Sequence, residues 1–149
     1  MAPITVSVDV ARPPEEVFAY VTDPSHLPEW QESVVSVDRE GSGPASEGTR
    51  VVLRRRVGRR REIDVTAEVT DVRPPTSWIV RGVDGPVRGM VRGTVDSLQD
   101  GQASRVTMVL DFEGHGIGRL LVPLVVRRQA ASEMPKNSQK LKQLLESGA

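Results

Sequence analysis

The stretch GHGIGRLLVPLVVRRQAASEMPKNSQKLKQLLES, residues 114–147, has the apolar spacing of an amphipathic helix. Its aliphatic residues recur at offsets of three and four, which is the period of one helix face. They are Ile117, Leu120, Leu121, Leu124 and Val125, and then Met134, Leu141, Leu144 and Leu145. The spacing therefore predicts one long C-terminal helix.

Two prolines interrupt this helical pattern. Because proline removes a backbone donor and clashes with the preceding turn, Pro123 predicts a late start or a kink, and Pro135 predicts a bend. A bent helix over a curved sheet leaves a cavity between the two. The alternative is that both prolines simply fit the helix to a dry core.

Upstream of the helix, apolar and polar residues alternate in the two-residue period of strands that bury one face. This alternation predicts seven strands, at residues 4–10, 34–39, 49–57, 60–72, 77–82, 87–98 and 104–113. Two short helices are expected after the first strand, because PPEEVFAYV opens with residues suited to a first helical turn and Asp23 can cap DPSHLPEW. Only the C-terminal helix is long enough to cover the sheet. The predicted class is α+β, with a curved antiparallel sheet of about seven strands around that helix.

Length and composition predict a single domain spanning residues 1–149. Basic and acidic residues number 20 each, so no overall charge favours nucleic acid or an anionic membrane. The chain has no cysteine, which excludes disulfides, thiolate metal sites and a cysteine nucleophile. The first stretch, MAPITVSVDV, has neither a basic leader nor an apolar run, and no stretch reaches the ~18 apolar residues of a membrane span. A cytoplasmic protein without a membrane span is expected.

Four segments together resemble one known family. They are PPEEVFAYVTDPSHLPEWQ after the first strand, EGTR before the third, TAEVTDVRPPTSW across the fourth and fifth, and DFEGHGIGRLLVPLVVRR leading into the long helix. Over nearly the whole chain, the sequence is similar to the polyketide cyclase/dehydratase and lipid-transport branch of the START-like (Bet v 1-like, SRPBCC) superfamily. The resemblance implies a helix-grip fold with a cavity between the concave sheet and the helix, and it implies no cofactor. It transfers no catalytic set residue by residue, because members share a scaffold and hold unlike ligands.

Two functions are open for such a cavity. The first is binding of a small, largely hydrophobic molecule, polyketide-like or lipid-like, through shape and a few polar contacts. The second is a cyclase/dehydratase-type reaction in which a side chain moves a proton by general acid/base chemistry.

The segment from Arg54 to Arg61, here called the arginine hairpin, contains six arginines in eight residues. Nucleic acid is disfavoured as its partner, because no aromatic residues for base stacking are interleaved. The arginines are instead expected to pair in solvent with Glu62, Asp64 and Glu68 and to protect a strand edge. An interaction module acting through this hairpin is the third alternative for function.

Ligand contacts are expected where the resemblance places the cavity. The candidates on the short helices, the sheet and the long helix are Tyr20, Trp30, Trp78, Phe112, Leu121 and Leu124. Each aromatic ring has the alternative role of a core anchor, since large rings usually supply buried area. Tyr20 differs from the others because its hydroxyl could orient a ligand.

The sixth predicted strand has two distinct faces. Val87, Gly89, Val91, Gly93 and Val95 alternate with Arg88, Met90, Arg92, Thr94 and Asp96. The valine and glycine face is expected to point toward the helix, because an unpaired buried arginine is costly. In the opposite orientation, Met90 and Arg92 line the cavity and can hold a carboxylate or ketone. Both therefore remain candidate ligand contacts.

Three residues are candidates for proton transfer. His115 lies between glycines at the entry to the long helix and titrates near neutrality, Glu113 precedes it by two positions, and Tyr20 carries a hydroxyl. The alternative for His115 is a polar residue at a helix entry, since no nucleophile or metal partner accompanies it. His115 and His26 do not have a zinc-ligand spacing, so no metal site is predicted.

Overall fold

Seven antiparallel strands form one sheet in the computed structural model, which describes residues 3–148. The strands are β1 (Ile4–Val10), β2 (Val34–Arg39), β3 (Arg50–Val57), β4 (Arg61–Arg73), β5 (Ser77–Gly82), β6 (Val87–Leu98) and β7 (Ala103–Gly114). They lie in the order β1-β7-β6-β5-β4-β3-β2. The helix-grip architecture is confirmed, and each strand end differs from its predicted position by at most one residue.

Two short helices connect the opposite edges of the sheet. β1 and β2 are consecutive in the chain but lie at the two edges, and between them come α1 (Pro14–Val21), a 3₁₀ turn (Pro24–His26) and α2 (Leu27–Trp30). The side chain of Asp23 caps the 3₁₀ turn, because its Oδ1 accepts a hydrogen bond from the Ser25 N–H at 2.9 Å. The two helices predicted after the first strand are thus confirmed.

The C-terminal helix begins at Gly118 and ends at Glu146. It consists of α3 (Gly118–Leu121), a π-helical turn (Val122–Val126) and α4 (Arg127–Glu146). Pro123 lies in the π turn, where the wider hydrogen-bonding pattern accommodates its missing N–H. Pro135 lies inside α4, and the bend expected there stays a prediction. No helix in the described part of the chain combines the length and apolar character needed to cross a bilayer.

The helix buries one face against the sheet. Leu141 and Leu145 are 0% and 2% exposed, and they belong to the same packed cluster as Val106 of β7 and Val10 of β1. Closer to the π turn, Val122 and Val126 form a second cluster with Val57 and Val87. The core therefore follows the helix along its length, as a long helix covering a sheet requires.

The inner face of β6 carries the valines and glycines. Val87 packs against the π turn, and Val95 lies in the main core. Gly93 is paired with Trp78 of β5, and the indole ring covers the space above the glycine. This confirms the orientation expected for the sixth strand.

Candidate ligand-binding cavity

A cavity of about 170 Å³ lies between the sheet and the C-terminal helix. Apolar side chains of β3 to β7 form most of its wall, and Val126, Ala130 and Met134 close it from the helix. For comparison, an engineered cavity of about 150 Å³ with aliphatic and aromatic walls stays dry and binds benzene. The cavity thus has the volume of a compound with a single ring.

Three of the predicted aromatic residues line this cavity. They are Trp30 of α2, Trp78 of β5 and Phe112 of β7. Trp78 is only 3% exposed and packs edge-to-face on Phe18, with ring centroids 5.7 Å apart. The ring of Trp78 is therefore a core anchor and a cavity wall at once, and contact of the three rings with a ligand stays a prediction.

One part of the cavity wall is polar and contains Arg55. On β3, Arg55 follows Val51 and Leu53 at a spacing of two, so its side chain lies on the inner face while Arg54 is exposed to solvent. Its guanidinium donates long hydrogen bonds to Gln31 Oε1 (3.4 Å) and Ser33 Oγ (3.5 Å). These distances lie beyond the usual 2.7–3.2 Å or so, so both bonds are weak.

Glu133 of α4 lines the same cavity as Arg55. Burial raises the pKa of the Glu133 carboxyl, and the nearby Glu32 raises this pKa further, whereas Arg55 and hydrogen bonds from Gln129 and Ser33 oppose the shift. Burial lowers the pKa of Arg55, against the opposing attraction of Glu133. Among residues 3–148, however, the guanidinium and this carboxylate form no ion pair within 4.0 Å. A cation and an acid therefore share the cavity without direct contact.

Two amide side chains next to this pair are already engaged by the backbone. Gln129 Oε1 accepts a hydrogen bond from the Gly58 N–H (2.8 Å), and its Nε2 donates to the Arg56 carbonyl (2.9 Å). Asn137 Oδ1 accepts from the Glu32 N–H (3.1 Å). These bonds fasten α4 to the β3–β4 turn and to Glu32, which follows α2. They therefore fix the position of Glu133 opposite β3.

The placement of Met90 and Arg92 in the cavity is wrong. Both side chains lie on the outer face of β6, where Met90 is paired with Asp111 and Arg92 with Val109. Arg92 is exposed, and neither residue lines the cavity. The physical reason is the one anticipated for this strand, since the small inner residues allow close packing and the arginine stays in water.

Two leucines of the helix also lie outside the cavity. Leu124 is 65% exposed, and Leu121 packs beside the cluster of Val57 and Val122 without reaching the cavity wall. The expectation that they line the cavity is therefore wrong. Leu120 and Ile117 are likewise exposed, at 65% and 52%.

Tyr20 packs against the 3₁₀ turn and does not reach the cavity wall. Its ring stacks on His26, with centroids 4.2 Å apart and planes at 18°. It is absent from the cavity lining, so neither a ligand contact nor proton transfer within the cavity is available to it. Burial raises the pKa of the Tyr20 hydroxyl to about 12, and the charge of Glu29 adds to this rise.

Tyr20 is the single tyrosine of the chain, so tyrosinate absorbance follows it alone. The folded protein is expected to titrate near pH 12, and the denatured chain near the ordinary value of 10.0. Because the folded pKa is raised, the contribution of Tyr20 to stability is complete below pH 10 and is lost as the pH rises to about 12. A folded-state midpoint near that of the denatured chain would show that the hydroxyl is fully hydrated.

His115 and Glu113 form a pair at the surface. His115 Nε2 lies 3.0 Å from Glu113 Oε1, and the Glu113 side chain is 75% exposed. The His115 backbone N–H donates to the Pro86 carbonyl, and neither side chain lines the cavity. Their assignment to proton transfer on a ligand in the cavity is therefore wrong, and the geometry matches a polar residue at a helix entry.

The pairing expected for the arginine hairpin is found at Arg54, whereas Glu68 pairs with Arg50, which precedes the hairpin. Arg54 forms ion pairs with Glu62 (2.8 Å) and Asp64 (3.1 Å), and Arg50 forms one with Glu68 (2.8 Å). These pairs lie on the outer face of β3 and β4. As for metals, no group of three or more histidine, aspartate and glutamate side chains within the described residues is placed to hold an ion.

The sheet, the covering helix and the cavity between them define a helix-grip domain. Residues 1–146 match the sequence model of the family described as polyketide cyclase / dehydrase and lipid transport. The chain belongs to this family.

Solved structures support the fold assignment over the whole chain. A START superfamily protein from Mycobacterium smegmatis is 14% identical with a TM-score of 0.75, and the alignment covers 100% of both chains. A protein from Thermus thermophilus is 18% identical with a TM-score of 0.75 over 99% of each chain. A conserved protein from Geobacillus kaustophilus is 20% identical with a TM-score of 0.66, over 96% of this chain and 94% of the other. No curated protein matches this sequence.

Proposed function

We propose that the protein binds a small, largely hydrophobic molecule, polyketide-like or lipid-like, in the cavity between sheet and helix. The observation that carries this proposal is the mainly apolar cavity of about 170 Å³ that is lined by β3 to β7 and α4. Membership of a family described by polyketide cyclisation and lipid transport supports it. A mostly apolar pocket with a few polar groups is the usual form of a small-molecule site.

The direct test is to identify what the protein carries. Native mass spectrometry of protein purified from its own host, followed by denaturing extraction, should reveal a stoichiometric apolar compound. A protein that emerges empty and that also binds no added apolar compound would contradict the proposal.

Filling the cavity should weaken ligand binding without unfolding the protein. Replacing Ala130 with phenylalanine is expected to weaken the binding of indole, a neutral ring compound, by at least about tenfold, because the new ring occupies the site. Isothermal titration calorimetry or chemical-shift titration measures the change.

The matched control is Ala131→Phe, since Ala131 is the next residue of α4 and is exposed. This variant should bind indole as the unchanged protein does. Equal loss of binding in the two variants, or undiminished binding by Ala130→Phe, would place the ligand elsewhere.

A second function, cyclase/dehydratase-type catalysis in the same cavity, is favoured by one observation. A carboxyl with a raised pKa, that of Glu133, shares the cavity with the guanidinium of Arg55. Such a carboxyl suits general acid/base chemistry, and a cation suits a developing oxyanion. Conversion of the extracted compound by the unchanged protein, and its loss in Glu133→Gln, would establish catalysis.

A further inference from the structure

We propose that the ligand carries a carboxylate that pairs with Arg55, so that the occupant of the cavity is an acid with a body about the size of one ring. This inference rests on the proposed function and names the chemical class of its ligand. It arises from the incomplete bonding of Arg55, the size of the cavity and the position of Glu133.

The guanidinium of Arg55 has more donors than partners. Arginine carries five N–H donors, and in this structure the side chain makes two long hydrogen bonds, to Gln31 and Ser33, both of them to neutral acceptors. Within residues 3–148, no carboxylate lies within 4.0 Å of the guanidinium. Yet the group lines a cavity with mostly apolar walls, where a charge without a partner is costly.

Arg54, the preceding residue, shows how the same side chain behaves when its bonds are satisfied. It forms an ion pair with Glu62 at 2.8 Å and another with Asp64 at 3.1 Å on the outer face. On the inner face, no described residue gives Arg55 such a partner. A carboxylate entering the cavity would supply them, because its two oxygens match the fork of a guanidinium and form short charge-assisted bonds.

The remaining walls set the size of the acid. Trp78, Phe112 and Met108 face a volume of about 170 Å³, which is close to the volume of the engineered cavity that holds benzene. A single ring with a short alkyl group can occupy this volume while its carboxylate reaches Arg55.

The position of Glu133 provides a second test of whether the ligand carries a negative charge. Its carboxyl lies in the same cavity and interacts electrostatically with Arg55, and Glu32 lies near Glu133. A ligand carboxylate next to Arg55 would be repelled by the charge of Glu133. Removal of that charge should therefore strengthen acid binding, whereas removal of the Arg55 charge should weaken it.

The experiment compares two probes of the same shape at neutral pH, 4-ethylbenzoate and the uncharged 4-ethylbenzamide, by calorimetry and chemical-shift titration. The unchanged protein is expected to bind the benzoate at least about tenfold more tightly than the amide. Arg55→Gln should remove this preference, and Glu133→Gln should strengthen benzoate binding roughly fivefold while leaving amide binding unchanged. Arg54→Gln, on the outer face, is the matched control and should change neither affinity.

The outcomes separate this inference from the proposed function. Equal affinity for the two probes, with no effect of Arg55→Gln, would overturn the carboxylate assignment and leave the apolar site intact. Binding of neither probe would contradict both. If Arg55→Gln does not fold, Arg55→Lys takes its place, since it keeps the charge without the fork and should retain only part of the preference for the benzoate. Failure of Glu133→Gln to strengthen benzoate binding would also count against the proposal.

Discussion

Replacing Gly93 with alanine is expected to lower the free energy of unfolding by roughly 3 kcal/mol, even though alanine is normally preferred to glycine inside a strand. The reason is that an added Cβ would overlap the indole ring of Trp78, which lies directly opposite on β5. The ring cannot move aside easily, because it is 3% exposed and packs edge-to-face on Phe18. Denaturant unfolding measures the change.

Gly89 provides the matched control for this variant. It lies on the same face of β6, and a Cβ there would meet the ring of Phe112 at 3.5 Å, which is ordinary van der Waals contact. Gly89→Ala should therefore change the free energy of unfolding by no more than about 1 kcal/mol. If the two variants lose equal stability, overlap with the indole is not the cause. Adding Trp78→Leu to Gly93→Ala should cost less than the sum of the two single changes, since the two residues share one space.

Replacing Leu141 with alanine should be comparably severe. Leu141 is 0% exposed in the cluster that joins α4 to β1 and β7, so its truncation leaves a cavity in the core. The expected loss is about 2–5 kcal/mol, which corresponds to a fall in Tm of roughly 10 °C for a domain of this length. Thermal unfolding followed by circular dichroism checks it.

The same substitution at the exposed residue Leu124 is the control for Leu141→Ala. Leu124 belongs to the same continuous helix but is 65% exposed, so Leu124→Ala should alter stability by no more than about 0.5 kcal/mol. A large loss at Leu124, or a small one at Leu141, would show that the helix faces the sheet with a different side.

The strands and helices could be predicted because each obeys one period over its whole length. Alternation and the turns between strands define residues 4–10, 34–39, 77–82 and 87–98 to the residue. The inner face of β6 followed from the cost of burying arginine, and the same cost explains why Met90 and Arg92 lie outside the cavity. For β6, the cost of burying a charged side chain predicted the correct orientation of the strand.

Arg55, in contrast, lies on an inner face despite the cost of burying an arginine. The arginine hairpin looks like a single solvated surface, yet Arg55 shares the inner face of β3 with Val51, Leu53 and Val57. The spacing of two from Val51 and Leu53 already predicts that Arg55 faces inward. The run of neighbouring arginines instead suggested that the whole segment is exposed to solvent. Glu133 is comparable, because it lies within a turn of Ala130 on the helix face that lines the cavity. Arg55 and Glu133 share one cavity because β3 packs near α4, and the local spacing of residues does not determine the packing of such distant segments.

The exposed leucines were misplaced for a different reason. Leu120 lies two heptads before Met134, so a uniform helix would put both on the buried face. The π turn at Val122–Val126 widens one turn of the helix, and the buried positions there are Val122 and Val126. After the turn, Met134, Leu141 and Leu145 are buried as their spacing predicts, but Leu120 before the turn is out of phase with them and is exposed.

The π turn also determines where the helix can lose one residue without changing its buried face. A π turn holds one residue more than its hydrogen-bonding pattern would need in an α-helix. Loss of one residue between Leu121 and Arg127 can therefore be absorbed by a return to regular winding, which leaves Leu141 and Leu145 on their present side. An equal loss within α4 would rotate everything beyond it by about 100°, because each helical residue advances that far. The turn is thus the place in the helix where a natural deletion would be tolerated.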